Sequence, residues 1–182
     1  MLHAGFTSAM KASLADLKGH RLESYECVFN KFGSYTYGNL SLNLDGLAID
    51  ISNEPKAFSF FDGEEDVACF SCASVNQNEP FKPYLKADTK KFTVNKSISQ
   101  VELLSDRIDV NHGEYQVEFD VALILHFDDE ILMFARGIWF AEEIFIAHND
   151  NYEAIFSKGS LIESWSNDGD YEVEVTRTRT QL

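Results

Sequence analysis

The stretch Asn39 to Ser52, NLSLNLDGLAIDIS, is two alternating runs that meet at Asp45-Gly46. In a two-residue hairpin Leu44 faces Leu47, Leu42 faces Ile49 and Leu40 faces Ile51. Successive side chains point to opposite faces of a strand, so these six share one face while Ser41, Asn43 and Asp50 take the other. The hairpin is therefore one wall of a core. Asp-Gly suits the positive φ angles of a type I′ turn, and such a turn sets the register.

Upstream, Tyr25, Cys27 and Phe29 alternate with Ser24, Glu26 and Val28, which predicts a strand over Arg21 to Phe29 before the loop NKFGSYTYG. Further back, Thr7 or Ser8 can cap a short N-terminal helix carrying Met10, Leu14 and Leu17 at helical spacing, with Gly19 as its C′ glycine. No other helix is expected. Downstream, Pro55 is expected to interrupt pairing, AFSFF resumes an apolar run, and Asp62-Gly63 with Glu64, Glu65 and Asp66 makes an acidic turn. Val67 to Val75 fits strand or helix, and we read it as strand. The stretch 76–96 opens with Pro80, Pro83, Lys82, Lys86, Lys90 and Lys91, the one basic island, and reads as a surface connector.

Beyond it, Val101 and Leu103 begin a strand that turns at Asn111-His112-Gly113 into the longest alternation of the chain. Tyr115, Val117, Phe119, Val121, Leu123, Leu125 and Phe127 are expected on one face, against Gln116, Glu118, Asp120 and His126. Asp128-Asp129-Glu130 returns the chain into ILMFARGIWF, a central strand in which Arg136 needs a partner. IFIA resumes a strand after Glu142-Glu143. A C-terminal hairpin is expected over 160–178, with Leu161, Glu163 and Trp165 on one arm, Asn167-Asp168-Gly169 as the turn, and Tyr171, Val173 and Val175 on the return.

The two halves share marks about eighty residues apart. Leu22-Glu23 answers to Val101-Glu102, Asn30, Gly33 and Tyr35 to Asn111, Gly113 and Tyr115, and Leu44-Asp45 to Phe127-Asp128. Phe60-Phe61 answers to Trp139-Phe140, and Glu64-Glu65 to Glu142-Glu143. This suggests a duplication over 20–75 and 99–148 within one globular unit of 1–182. The fold class expected is mainly β (α+β): antiparallel meanders forming a sandwich or open barrel, with two similar β units and one short N-terminal helix.

Composition agrees, with 45% apolar residues, 15 Phe and 7 Tyr against 3 Pro. The formal net charge of −15 argues against nucleic-acid phosphate or an anionic membrane as partner and favours a basic protein. No run approaches the ~20 apolar residues of a membrane span. Met1 to Lys18 lacks the pattern of a secretory signal, and three cysteines leave one unpaired under any intramolecular scheme, so a cytoplasmic location is expected.

Chemistry-bearing patterns are sparse. Cys69-Phe70-Ser71-Cys72 has CxxC spacing, but residues three apart on a strand face opposite ways, so buried structural thiols are the better reading. His3, His20, His112, His126 and His148 show no paired spacing, and DGEED lacks the later glutamate of an EF-hand. Nucleophile elbows, P-loops and dinucleotide fingerprints are absent. We therefore expect a non-catalytic, immunity- or inhibitor-like acidic protein with no cofactor or metal. Its candidate binding residues are Asp128, Asp129, Glu130, Glu142 and Glu143, with Trp139, Arg136 and His126 beside them. The alternative is a small-ligand-binding or enzymatic β fold whose pocket, between the two units, collects Arg136, His126, Glu142 and Tyr115. A third reading is a homo-oligomer paired through an exposed sheet edge.

Overall fold

The computed structural model describes residues 1–29, 34–60, 63–137, 141–166 and 171–182. In chain order its elements are β1 (Leu2–Ala4), α1 (Ser8–Ala15), β2 (Arg21–Phe29), β3 (Tyr35–Leu44), β4 (Leu47–Phe60), β5 (Gly63–Val75) and β6 (Lys90–Ser97). Then come β7 (Gln100–Val110), β8 (Tyr115–His126), β9 (Ile131–Arg136), β10 (Glu143–His148), α2 (Tyr152–Ile155), α3 (Lys158–Ser166) and β11 (Val173–Gln181). The strands form one open, mainly antiparallel sheet ordered β11-β7-β8-β9-β10-β3-β2-β6. The β4–β5 ribbon branches from β3, and β1 runs parallel to β8.

The opening hairpin has the register its sequence demands: Leu44 opposite Leu47, Leu42 opposite Ile49, Leu40 opposite Ile51. Its leucines and isoleucines enter a core shared with Leu14 and Leu17. The turn differs from type I′, because Gly46 alone takes a positive φ, of +86°. Asp45 is held by the start of β2, its carboxylate accepting from the Arg21 N–H at 2.9 Å and meeting His20 Nδ1 at 2.9 Å. Tertiary hydrogen bonds thus replace one half of the intrinsic turn preference. Thr7 caps α1, its hydroxyl accepting from Met10 N at 3.3 Å, and Gly19 takes φ +89° after the helix.

Four expectations are corrected. Pro55 does not interrupt pairing: it sits opposite Ala68 within a continuous β4. Beyond Ser52 the described pairing of β4 is with β5 alone, so the missing N–H falls on an open edge where proline is tolerated. The connector is shorter than 76–96, because Lys90–Ser97 is β6 and pairs with β2. It folds back over the hairpin: Gln77 Nε2 donates to the carbonyls of Leu44 and Leu47 at 2.6 and 2.8 Å, and Asn39 Oδ1 accepts from Tyr84 N at 2.8 Å. Gly38, at φ +78°, is obligatory there, since a Cβ would lie 2.4 Å from Tyr84.

The alternation of β8 also breaks. The register against β7 shifts between Leu104 and Ser105, leaving Val121 as an extra residue between Asp120 and Ala122. Consequently Val117, Phe119 and Val121 join Ala122 and Ile124 in a second core, whereas Leu123, Leu125 and Phe127 enter the first. Finally, the N-terminal helix is not alone, and the expected hairpin arm at Leu161–Trp165 is helix α3. The Ser157 hydroxyl accepts from Ser160 N at 3.1 Å, an N-cap arrangement, and Leu161 and Trp165 at i and i+4 cover the second core. β11 pairs instead with β7, Val173 opposite Val110 and Gln181 opposite Glu102. The expected turn at Asn167-Asp168-Gly169 lies outside the described residues.

Each half lays down its strands in the same order. β2 to β5 and β7 to β10 are four consecutive antiparallel strands, and a fifth, β6 or β11, returns to flank the first. The halves meet where β3 pairs with β10. The outer hairpin differs most: β4 and β5 have 14 and 13 residues, β9 and β10 six each.

Candidate functional site

The acids expected to bind a partner are dispersed and in part already engaged. Lys96, on β6, places its ammonium 2.8 Å from Asp129 and 3.0 Å from Glu130. Hydrogen bonding to Asp129 and Glu130 holds Lys96 above the usual lysine range, and the same contact with Lys96 holds Asp129 below the usual carboxylate range. Asp128 is exposed beside them. Glu142 accepts from the Tyr37 hydroxyl at 2.6 Å, which pushes that phenol up to about 12. Glu143 opens β10, where its carbonyl and that of Ala141 hold the amide of Asn53 at 3.1 and 3.0 Å. His126 faces Glu102 at 3.8 Å, and Glu102 in turn accepts from Arg179 at 2.7 Å. Trp139 and Phe140 lie outside the described residues.

The pocket expected between the two units, collecting Arg136, His126, Glu142 and Tyr115, does not form as such. Tyr115 packs on Trp165 at 6.1 Å between ring centroids, and neither His126 nor Glu142 lines a cavity with Arg136. The branched sheet sends these side chains to different places.

A denser arrangement lies under α2 and α3, on the outer face of the second unit. Arg136 is 1% exposed, its guanidinium 4.7 Å from the Phe119 ring centroid. Burial pushes that guanidinium down to about 10. Asp106, also 1% exposed, is gripped by Arg177 from the neighbouring strand, Nε to Oδ1 and Nη2 to Oδ2 both at 2.7 Å. The planar fork of arginine matches both carboxylate oxygens. Arg177 also donates through Nη1 to Glu153 and to the Phe156 carbonyl, and its guanidinium stacks 4.5 Å from the Tyr152 ring centroid. Desolvation would lower its pKa, but the bonds to Asp106 outweigh it and the net direction is upward. Burial raises the Tyr152 phenol, whose hydroxyl lies 3.5 Å from the Arg136 carbonyl.

Cavities adjoin this cluster. An inner one of about 20 Å³ is lined by Asp106, Phe119, Arg136, Gly137, Tyr152 and Leu161 among others. An outer one of about 170 Å³ shares Gly137, Tyr152 and Leu161 with it and is walled further by Ile155, Phe156 and Arg177. Arg177 separates the outer room from a surface depression of about 270 Å³ that also carries Glu153, Lys158 and Arg179. Sequence reading singled out Arg136 as needing company but not Asp106, Arg177 or Tyr152. The available signal was TRTRT on a half-buried strand, where an arginine on the inward register must find an acid.

The three thiols are structural in placement. Cys27, Cys69 and Cys72 are free and buried, with Cys69 in the second core and Cys72 in the first. Burial pushes Cys27 and Cys72 up to about 11 and raises Cys69. On the polar face of the opening hairpin, Ser41, Asn43 and Asp50 line a cleft of about 230 Å³ under the connector, with Glu26 and Lys91. Burial raises the Asp50 carboxyl there. Among the described residues, no group of three or more His, Cys, Asp or Glu is placed to hold a metal ion, and no helix is long and apolar enough to cross a membrane. No protein-family model, no curated protein and no solved structure matches the chain.

Proposed function

We propose that this chain is a non-catalytic binding protein whose acidic surface engages a basic protein partner, in an immunity- or inhibitor-like role. One observation carries the reading. The long β4–β5 ribbon presents Glu64, Glu65 and Asp66 fully to solvent, and these make no ion pair among the described residues. The corresponding acids of the other unit, Asp129 and Glu130, are shared with Lys96. The binding surface is therefore shifted from the Asp128–Glu130 turn to the ribbon, where charge of one sign raises the encounter rate with a cationic partner. A cytoplasmic location accompanies this reading, supported by three free cysteines. The equal strand order of the two halves supports a duplication.

Co-expression and pull-down would identify the partner, and salt titration would test the mode of binding. Affinity is expected to fall as ionic strength rises and to fall again when Glu64, Glu65 and Asp66 are changed together to lysine. A partner bound equally at low and high salt, and indifferent to the triple change, would sink the proposal.

A second reading, a small-ligand-binding fold, is favoured by a different observation: the adjoining cavities walled by Arg136 and Arg177.

A further inference from the structure

We propose that the cavities beneath α2 and α3 bind a small monocarboxylate with a ring-sized apolar body. This rests on the ligand-binding reading and is independent of the acidic ribbon. The outer room, about 170 Å³, is lined mainly by apolar atoms of Tyr152, Ile155, Phe156 and Leu161. That is close to the ~150 Å³ of an engineered apolar cavity that takes up benzene. The room therefore sets the size of the ligand body at about one aromatic ring.

Charge sets the sign of its polar end. The chain has 15 Lys and Arg against 30 Asp and Glu, so a random stretch of wall would be acidic. The inner room, the outer room and the adjoining depression reverse this: they carry Arg136, Arg177, Lys158 and Arg179 against Asp106 and Glu153. Cations gathered at low-dielectric walls focus field lines and draw a small anion through otherwise repulsive surroundings. The inner room, about 20 Å³, exceeds the ~10–15 Å³ that one water needs, so it has space for a carboxylate oxygen beside Arg136 while the ring occupies the outer room. Arg136 stacked on Phe119 and Arg177 stacked on Tyr152 hold their planes fixed on either side. Gly137 lines both rooms, and a Cβ there would come 3.0 Å from the Phe145 ring.

The test is calorimetric titration of the full chain with benzoate, benzyl alcohol and benzylamine in parallel. Benzoate is expected to bind at least about tenfold more tightly than benzyl alcohol, the gain of one charge-assisted hydrogen bond, and benzylamine most weakly. Leu161→Trp should abolish benzoate binding by filling the outer room, and Arg136→Met should lower benzoate to the level of benzyl alcohol. Should Arg136→Met fail to fold, magnetisation transfer from benzoate ring protons to Ile155 and Leu161 methyls in the unaltered chain locates the ligand directly. Equal binding of the three probes would overturn the carboxylate assignment while leaving the cavity reading intact. Absence of binding by all three, or binding unaltered in Leu161→Trp, would overturn both.

Discussion

Two charged clasps secure the returning strands β6 and β11, and they work in opposite surroundings. Lys96 of β6 reaches across to Asp129 and Glu130 at the β8–β9 turn, with the Asp129 side chain 70% exposed. Arg177 of β11 reaches Asp106 on the adjacent β7, with the two side chains 8% and 1% exposed. Water solvates the first clasp whether or not it is closed, so its closure contributes little. The second has no water to fall back on. Once buried, each partner depends on the other, although replacing both by apolar groups costs far less than removing one. The same chemical pair therefore serves as a light tether in one place and as a structural obligation in the other.

The sharpest way to break this comparison is Asp106→Ala, which strands Arg177 without its two-point partner. We expect a loss of about 3–5 kcal/mol in urea unfolding, and recovery of most of it in the double variant Asp106→Leu with Arg177→Met. A loss no larger than that of Lys96→Ala would show that burial does not separate the clasps. Thiol labelling localises the damage. In Asp106→Ala, Cys69 of the second core should react with a thiol reagent before Cys72 of the first, whereas in the unaltered chain both wait for global unfolding.

Asp120 offers an intermediate case. Its 4%-exposed carboxylate accepts from Phe6 N at 2.9 Å, Ser105 Oγ at 2.7 Å and Lys11 Nζ at 3.1 Å, tying the N-terminal segment to β8. Asp120→Ala should cost about 2 kcal/mol, with faster hydrogen exchange at the Phe6 amide. Unchanged exchange there would mean that β1, not the carboxylate, anchors the segment.

The smallest effect belongs to Lys96→Ala: a slight fall in melting temperature at low salt that disappears at ~1 M salt, where the screening length is about 3 Å. Its pH dependence has two limbs. Asp129 is held below its ordinary 3.8, so its contribution is present above that value and is lost as pH falls through the depressed one. Lys96 is held above its ordinary 10.5, so its contribution is complete below that value and is lost as pH rises through the raised one. Unaltered chain and Lys96→Ala should therefore differ by a constant amount across neutral pH and converge at both extremes. A difference that varies between pH 5 and 9 would implicate a histidine instead, a titration in the ordinary imidazole range.

These contrasts follow what each segment of sequence can carry. Asn39–Ser52 was legible because both arms and the turn of the hairpin are adjacent in sequence, and alternation assigns each side chain a face without reference to the rest of the chain. β8 was legible as a strand but not in its facing, since one inserted residue at Val121 inverts the pattern and both faces of its later half are apolar. The arm 161–165 read as strand because five residues do not separate a period of two from one of 3.6, while the serine cap before it was the better signal. At the candidate site, Arg136 stood out as a charge in an apolar run. Its company did not, because Asp106 and Arg177 are 71 residues apart.

The sequence by itself thus determined the β class, the register of the opening hairpin, the capped first helix and the acidic surface, all consequences of local periodicity and composition. Only the tertiary structure decided that β11 lies against β7, that α2 and α3 roof the second core, and that the acids at Asp129 and Glu130 are shared with a lysine. Those outcomes depend on the order of strands in the sheet, which places residues far apart in the chain on facing positions, and no local pattern encodes which distant partner will arrive.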